Sequence, residues 1–380
     1  MTGKERMLAA MWLEEPDTVP VSPDVSNMIP AKLLGKPLYD IYVFDDPPLW
    51  EGYLEAVRAF KFDAWFIYAS LGEGALPSQV GALKAERRLV SRGRDAIVFR
   101  DVIRTPKGDF YQTVISPADQ PPWLRDGFIK RIPEDLAALG YLLADPLELD
   151  PAPFRRLYRK VGDLGVVAGN VCLPFDWWYS MRGGIKRALL DLFYRPDVVK
   201  EAFKRYADYA ARLAEALIRV GADEILLQGS CSSISILSPR QFKEYNLPLI
   251  RDVVRVANGR VPVHLHVCGR SRAIVDLVAN TGLNVVEPLE RPPGGDVDLA
   301  EVKRRFGDRL CLKGNVNTFG TMLSSPEDVE GEVRWCIAAA AYGGGFILST
   351  GDQVPRDTPT ENLVRFVKAG RAYGRYNLGP

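Results

Sequence analysis

The C-terminal half of the chain alternates short apolar runs with segments of helical periodicity, and this alternation restricts the fold more than any other feature. Five runs are rich in β-branched residues or leucine and end with small or polar residues: EILLQGS, VPVHLHV, LNVVEP, RLCLKGN and GFILSTG. Nearly continuous apolar runs are typical of parallel strands that are buried on both faces. The five repeated units therefore predict a parallel barrel or a doubly wound sheet.

The segments between these runs carry helix start signals. Ser238 and Ser325 each precede a proline, and Asp298 precedes another helical segment. Serine and aspartate cap helix N-termini, and proline is favoured in the first turn. No glycine-rich nucleotide-binding loop follows a strand, which disfavours the doubly wound alternative. We therefore predict an α/β fold, a (β/α)8 TIM barrel.

The first part of the chain is less regular. The stretch AIVFRDVIRTPKGDFYQTVIS alternates apolar and polar residues around a Pro-Lys-Gly turn. This pattern predicts an antiparallel β-hairpin, at about residues 89–118, as an excursion from the barrel. Residues 1–62 are expected to form an N-terminal extension that covers one end of the barrel. We predict that residues 1–380 form one domain, a length that α/β barrels reach.

Composition excludes several classes of protein. The chain has 49 basic and 48 acidic side chains and no basic block, which predicts no nucleic-acid partner. Its longest nearly uncharged stretch, CIAAAAYGGGFILSTG, is too short to span a membrane, and its first residues do not resemble a signal peptide. Five scattered cysteines do not suggest a disulfide framework. We expect a cytoplasmic protein without a membrane partner, with a homodimer as a candidate assembly.

Both histidines of the chain lie in PVHLHVCGRS, residues 262–271. On a strand, alternation places His264, His266 and Cys268 on one face. In a barrel that face is the interior, and the glycine that follows places His266 and Cys268 near the C-terminal mouth, where barrel enzymes have their active sites. Imidazole and thiolate form a natural partial shell for zinc. The structural alternative is a hydrogen-bonded core histidine beside a buried cysteine.

A zinc site needs at least one more protein ligand, and three residues follow other strands at the same rim. Cys231 follows EILLQGS, Glu287 ends NVVE, and Asp352 follows FILSTG. We prefer Cys231 because a thiolate is a soft ligand. Each has a structural alternative, because Cys231 could be a small core residue, Glu287 a group behind the ligands, and Asp352 a helix cap.

Substrate contacts are expected from one aromatic run and from two polar strand ends. The run NVCLPFDWWYSMRGG, residues 170–184, contains four clustered rings, Phe175, Trp177, Trp178 and Tyr179. Such rings could sandwich an aromatic methyl ether or surround a quaternary ammonium group. Their structural alternative is to cover the barrel or to build a subunit interface. Gln228 and Asn315, at strand ends, are candidates for orienting the substrate.

Three stretches resemble a known family: VPVHLHVCGRS, LKGNVNTFG and GGGFILSTGDQVPRDTPTENLVRFVKAG. They are similar to the uroporphyrinogen decarboxylase superfamily, and more closely to its zinc- and corrinoid-dependent methyltransferase branch, such as the methylcobamide:coenzyme M methyltransferases. The similarity runs from about Phe175 to Arg375. It implies a (β/α)8 barrel and a zinc ion held by His266 and Cys268 at the positions of the branch's H-x-C-G. In family members the residues matching Lys313 and Asn315 lie beside the site.

The chain departs from both branches of the superfamily. The methyltransferases usually supply a third cysteine ligand after the last strand, but STGDQVPRDTP contains none. A zinc shell would therefore need Cys231, Glu287 or Asp352. The decarboxylases carry an N-terminal arginine motif and an aspartate near the position of Cys231. Neither is found here, which disfavours uroporphyrinogen decarboxylation.

The resemblance implies transfer of a methyl group between a small substrate, such as a methoxylated aromatic, and a corrinoid (cobalamin) carried by a partner protein. Zinc would act as a Lewis acid on the oxygen or sulfur that bears the methyl group. One alternative is a metal-free barrel that binds a corrinoid or tetrapyrrole as a carrier or sensor. Another is a decarboxylase related to uroporphyrinogen decarboxylase.

Overall fold

The computed structural model describes residues 1–71, 86–143 and 145–376. Its strands, in chain order, are β1 (Ala64–Phe66), β2 (Glu86–Arg92), β3 (Ala96–Thr105), β4 (Gly108–Pro117), β5 (Trp123–Asp126), β6 (Gly165–Cys172), β7 (Glu224–Gln228), β8 (Val263–His266), β9 (Val285–Glu287), β10 (Cys311–Val316) and β11 (Phe346–Thr350). Strands β1 and β6 to β11 form a parallel sheet whose order follows the chain. Strands β2 to β5 form a separate antiparallel sheet.

The helices surround the parallel sheet. In chain order they are α1 (Gly3–Met11), α2 (Met28–Leu34), α3 (Leu38–Val43), α4 (Leu49–Phe60), α5 (Leu139–Leu142), α6 (Ala152–Val161), α7 (Pro174–Arg182), α8 (Ile185–Tyr194), α9 (Pro196–Val220), α10 (Pro239–Tyr245), α11 (Leu247–Ala257), α12 (Arg272–Val278), α13 (Leu299–Phe306), α14 (Pro326–Ala340) and α15 (Thr360–Tyr373). Short 3₁₀ helices lie at Glu134–Ala138, Pro146–Glu148, Gly162–Leu164 and Thr321–Leu323. None of the described helices is both long and apolar enough to cross a lipid bilayer.

The eighth position of the barrel is filled by a short extended segment around Val21. Val21 forms a parallel bridge with Leu348 of β11, and the Ser22 amide donates to the Leu348 carbonyl at 2.8 Å. On its other side the Val21 carbonyl accepts from the Asp63 amide, next to β1, at 2.8 Å. The segment therefore links the last strand of the sheet to the first. The predicted α/β TIM-barrel fold with its N-terminal extension is confirmed.

Helix α1 covers the N-terminal end of the barrel. Met7 and Met11 are fully buried and belong to one apolar cluster with the first interior residues of several strands, including Val285, Cys311 and Ile347. Burying apolar side chains of this size contributes about 1.5–3 kcal/mol each. The interior of the barrel is therefore a packed core at the N-terminal ends of the strands, so a functional site is expected at their C-terminal ends.

The three predicted helix caps form, but one of the predicted helices is interrupted. Ser238 and Ser325 each accept a hydrogen bond from the backbone three residues on, at 3.2 Å, and Asp298 does the same at 2.9 Å. The helical segment after Ser238 is split into α10 and α11 at Asn246. Pro248 explains the break, because proline has no amide hydrogen to donate to the carbonyl four residues before it.

The antiparallel sheet has the order β2-β3-β4-β5. Strands β3 and β4 pair from Ala96 with Pro117 to Thr105 with Gly108, so the chain turns at Pro106 and Lys107. The expected hairpin is thus present, as the central pair of four strands. Strand β2 begins before the predicted limit of 89, and β5 lies beyond 118, so the sheet is larger than the sequence pattern indicated.

Asp63 joins the N-terminal extension to the barrel. Its side chain is 3% exposed and accepts from Nη1 of Arg6 at 2.7 Å and from the Val21 amide at 2.8 Å. It also forms an ion pair with Arg371, whose Nη1 lies 2.8 Å from the carboxylate. A buried carboxylate with two cationic partners is costly to remove, because the partners lose their counter-charge.

We predict that Asp63→Ala lowers the free energy of unfolding by about 3 kcal/mol, since it leaves Arg6 and Arg371 without their shared partner. Urea denaturation followed by circular dichroism measures the change. Asp308→Ala is the matched control, because Asp308 is exposed and pairs with its neighbour Arg309. An unchanged midpoint in Asp63→Ala would contradict the role given to this carboxylate.

Candidate metal centre

Strand β8 carries both histidines on the inner face of the barrel. His264 pairs in register with Val285, and His266, the last residue of β8, pairs with Glu287. His264 is fully buried, whereas His266 is 13% exposed at the C-terminal mouth. The alternation predicted from the sequence therefore holds, and it separates an inner histidine from an outer one.

Three potential ligands meet at the mouth. One ligand atom each from His266, Cys268 and Asp352 lies within 4.8 Å of the other two. Cys268 stands two residues beyond β8, and Asp352 stands two residues beyond β11. The Asp352 backbone has φ 153°, a conformation that costs energy for a residue with a side chain and that is often found at functional sites. The structure therefore brings together three of the five predicted ligands.

Glu287 lies behind His266 rather than beside the other ligands. Its Oε1 is 2.5 Å from Nδ1 of His266, and its Oε2 accepts from the fully buried ammonium of Lys313 at 3.1 Å. Burial acts to raise the pKa of Glu287, but the charges of Lys313 and His266 lower it well below its ordinary value. Both oxygens are thus engaged, so Glu287 supports a ligand instead of acting as one. Its hydrogen bond to Nδ1 leaves Nε2 of His266 as the atom for a metal.

The pKa values of the three clustered groups follow from burial and mutual contact. Burial acts to lower the pKa of His266, but Glu287 and the hydrogen bond with Cys268 raise it well above its ordinary value. Burial raises the pKa of Cys268 and of Asp352. A bound cation would reverse this effect on the thiol and the carboxyl, since it favours their ionised forms.

His264 belongs to a second buried pair deeper in the barrel. Its Nδ1 lies 2.9 Å from Oε2 of Glu224, and Oε1 of Glu224 accepts from the Trp65 indole at 2.5 Å. The Lys313 ammonium lies 3.6 Å from the centroid of the Trp65 ring. These contacts pair Nδ1 of His264 and the Trp65 indole with the buried Glu224 carboxylate, whereas Nε2 of His264 makes no hydrogen bond within the described part of the chain. His264 is therefore the hydrogen-bonded core histidine that we considered as the structural alternative, whereas His266 is not.

Cys231 does not join the group formed by His266, Cys268 and Asp352, so our preference for it as third ligand is not supported. Burial raises the pKa of its thiol well above the ordinary value. Its amide donates to the buried carboxylate of Asp176 at 2.7 Å, which fixes the turn after β7. Ligand softness favoured Cys231, but the turn after β7 leaves its thiol outside the group of three ligand atoms.

The cluster opens into a cavity of about 570 Å³ at the barrel mouth. Its lining includes the cluster itself, the predicted substrate residue Gln228, and the rings of Tyr42, Trp65 and Tyr68. Asp24 also lines it, from the N-terminal extension. No lysine or arginine is found among the described lining residues. A cavity with acids and rings but without those cations suits a neutral or cationic ligand better than a carboxylate.

Most of the predicted aromatic contacts are core residues. Phe175, Trp177 and Trp178 are fully buried and do not line this cavity. Trp177 stacks on Tyr206 of α9 at 4.5 Å, and Trp178 packs edge-on against Phe203. The expected substrate contact is therefore not found for these three rings, because the run forms helix α7, which packs Trp177 and Trp178 against α9. The structural alternative, packing over the barrel, describes them.

Tyr179 and Asn315 also lie away from the metal cluster. Tyr179 is half-buried and lines a second cavity beside the antiparallel sheet. Asn315 is fully buried, donates to the Leu289 carbonyl at 2.8 Å and accepts from the Cys336 thiol at 3.7 Å. Its side chain therefore stabilises the barrel wall and is not among the described residues that line this cavity.

Two residues of the site had no local sequence signal. Asp24 is held beside β11 because its amide donates to the Thr350 hydroxyl at 3.1 Å, across 326 residues of sequence. Trp65 is an ordinary apolar strand residue in its own context and becomes part of the site only through the interior pair of Glu224 and His264. Lys313 was indicated only by the family resemblance.

The fold and this group of side chains define a (β/α)8 barrel with a candidate metal centre at the C-terminal ends of its strands. The chain matches the family model for uroporphyrinogen decarboxylase (URO-D) over residues 131–373, and it therefore belongs to that family. The predicted family is confirmed. Uroporphyrinogen decarboxylase from Erwinia tasmaniensis is 26% identical over 302 residues, covering 75% of this chain and 80% of that protein. The enzyme of the same name from Coxiella burnetii is 24% identical over 297 residues, covering 75% and 79%.

A solved structure has the same fold over almost its whole length. The methyltransferase from Methanosarcina mazei superposes with a TM-score of 0.71 and covers 98% of this chain and 99% of its own. The two sequences are 19% identical, so the likeness shows a shared fold.

Asp176 should give stability a measurable pH dependence. Burial raises its pKa to about 6, while its hydrogen bonds from Ser232 and the Cys231 amide act in the opposite direction. An unfolded aspartate ionises near pH 4, so the free energy of unfolding falls as the pH rises from about 4 to 6 and the unfolded state loses this proton first. Asp176→Asn removes this loss. We predict that the free energy of unfolding of Asp176→Asn, measured relative to wild type, increases by about 3 kcal/mol from pH 4 to pH 7.

Paired urea titrations of the wild type and Asp176→Asn across this pH range measure that relative change. A Ser180→Ala variant, in the same helix, is a useful control because it removes no ionisable group. A difference between Asp176→Asn and wild type that stays constant with pH would contradict the raised pKa.

Proposed function

We propose that this chain is a zinc-dependent methyltransferase that exchanges a methyl group between a small neutral or cationic substrate and a corrinoid. The observation that carries the proposal is the meeting of His266, Cys268 and Asp352 within 4.8 Å, with Glu287 bonded to Nδ1 of His266. A shared fold with a methyltransferase is consistent with it.

The donor set fits zinc. Imidazole nitrogen, thiolate sulfur and carboxylate oxygen are its usual protein ligands, and three protein ligands with one open position are typical of catalytic zinc. His266 would bind through Nε2, Cys268 through its sulfur and Asp352 through a carboxylate oxygen. When bound, zinc supplies a Lewis acid that withdraws electron density from an oxygen or sulfur.

The remaining residues of the cavity orient the substrate and limit the access of water. Gln228 offers an amide at the end of β7, and Trp65 and Tyr68 provide apolar surface close to the cluster. Such positioning would hold the methyl-bearing atom beside His266, Cys268 and Asp352, where a bound zinc ion would act on it. Glu287 and Lys313 keep His266 in one tautomer and one orientation throughout.

The second reactant that we propose is a corrinoid carried by a partner protein, as the family resemblance implies. Barrel enzymes react at the C-terminal face, and the cavity lies at that face. Free cobalamin in its reduced form is a suitable substitute for the partner in an assay.

Decarboxylation of a carboxylic acid is the second candidate function, because the curated relatives described above are decarboxylases. The cavity argues against it. Asp24 and Asp352 would repel a carboxylate, and none of the described lining residues is a lysine or arginine. A decarboxylase of this kind would also keep its activity after chelation, whereas the proposed methyltransferase would lose it.

We predict about one zinc ion per chain in protein purified without chelator, and less than a tenth of that in Cys268→Ser and Asp352→Ala. Each change removes one of three ligands. Metal analysis by mass spectrometry gives the stoichiometry. Cys231→Ser is the matched control for Cys268→Ser and should retain zinc, because its thiol lies outside the ligand set.

Zinc lost in Cys231→Ser and kept in Asp352→Ala would contradict the ligand set. Wild-type protein without zinc that still binds cobalamin would support the metal-free carrier instead. Wild-type protein without zinc that decarboxylates a porphyrinogen acid would support the second candidate.

Glu287→Gln should weaken zinc binding about 10- to 100-fold, because the amide no longer fixes Nδ1 of His266 as a carboxylate does. Competition with a chelating dye measures the dissociation constant. Glu224→Gln is the control, since it alters the same kind of pair at His264, which lies outside the ligand set. Equal losses in the two variants would show that Glu287 has no specific role at the metal.

A further inference from the structure

A second cavity, of about 520 Å³, lies between the antiparallel sheet and the C-terminal end of α7. The proposed chemistry does not use it. Its lining includes Phe99 of β3, Gln112 and Val114 of β4, Trp123 of β5 and Tyr179 of α7. Its volume lies within the range of small-molecule sites, about 300–1,000 Å³.

The two cavities share one lining residue. Tyr42 belongs to both linings, so the two cavities meet at this ring. A molecule that reached from the metal cluster into the second cavity would pass this ring.

The wall of this cavity contains three polar residues that are joined by hydrogen bonds. Asp101 is 1% exposed and accepts from Nε of Arg87 at 2.8 Å and from Nε2 of Gln112 at 3.0 Å. The charges of Asp101 and Arg87 balance. Within the described part of the chain, Nη1 of Arg87 and Oε1 of Gln112 make no further hydrogen bond. One donor and one acceptor on this wall are thus free to meet a ligand, and the Arg87 side chain that carries the donor is 37% exposed.

The rest of the lining is apolar and aromatic. The Arg87 guanidinium lies over the ring of Phe99, with its Cζ 4.1 Å from the ring centroid. Trp123 and Tyr179 add two more rings to the lining. Val114 and Ile185 complete the apolar surface. Flat rings with a few fixed polar groups are typical of sites for aromatic ligands. The balanced charges favour a neutral substituent over a carboxylate.

We propose that the second cavity binds the non-reacting body of the substrate, an aromatic ring with a neutral hydrogen-bonding substituent such as a hydroxyl. The hydroxyl would donate to Oε1 of Gln112 and accept from Nη1 of Arg87. The methyl-bearing end would then point past Tyr42 towards Asp352 and its partners. This assignment rests on the proposed function for the chemistry at that end, but the binding itself does not need the metal.

The test uses 4-methoxyphenol as a probe, titrated into the purified full-length chain by calorimetry. Val114→Phe fills the cavity, and Gln112→Leu removes the acceptor while Asp101 keeps its pairing with Arg87. We expect wild type to bind the probe, and each variant to bind at least about tenfold more weakly. Arg104→Ala is the control, because Arg104 is exposed on the same sheet and lies outside the lining.

Zinc content is measured on the same samples, so that the two proposals fail separately. Zinc-free wild type whose probe binding is lost in Val114→Phe would overturn the proposed chemistry and support the second cavity as a binding site. Wild type with zinc that fails to bind the probe, or variants that bind it as wild type does, would overturn the second cavity. Circular dichroism confirms that the compared variants are folded.

Discussion

The contact between Glu287 and Nδ1 of His266 is the interaction on which the candidate site depends. It exists because two adjacent parallel strands end in register, which places the two side chains next to each other inside the barrel. Lys313 holds the other carboxylate oxygen from the next strand. Three strands thus fix the one imidazole that faces the mouth, and the direction of that ring decides where a metal could bind.

The ligands that meet this imidazole come from loops and not from strands. Cys268 follows the same strand as His266, while Asp352 arrives from the far end of the sheet in a strained backbone conformation. Closure of the barrel by the segment around Val21 brings that end of the sheet towards the N-terminal extension. The same closure brings Asp24 into the lining of the cavity. Part of the acidic character of the cavity therefore comes from a residue that is distant in sequence from His266.

Much of the fold and two of the three residues of the metal cluster, His266 and Cys268, could be predicted from the sequence. The alternation in VPVHLHV predicted that His264 and His266 share a face, because the geometry of a strand depends only on neighbouring residues. The caps at Ser238 and Ser325 could be predicted because a cap also depends on residues that are close in sequence. The sequence named Asp352 as one of three candidates for the third ligand but could not select it. Whether Cys231 or Asp352 turns towards His266 depends on loop conformations, and those depend on distant partners such as Asp176.

The aromatic run shows the same limit. Its composition suggested a substrate pocket, but Pro174 begins a helix, and helical spacing turns Trp177 and Trp178 towards α9. Sequence composition does not reveal the direction in which a ring points. Conversely, the second cavity depends on Asp101 and Gln112, which face each other only because β3 and β4 pair in one particular register.

The most direct test of this account is X-ray absorption at the zinc edge of the purified wild-type protein. The ligand set His266, Cys268 and Asp352 predicts one sulfur at about 2.3 Å, with nitrogen and oxygen neighbours at about 2.0–2.2 Å. Two sulfur neighbours would show that Cys231 binds the metal and would contradict the geometry described here. A zinc spectrum without any sulfur neighbour would contradict it as well.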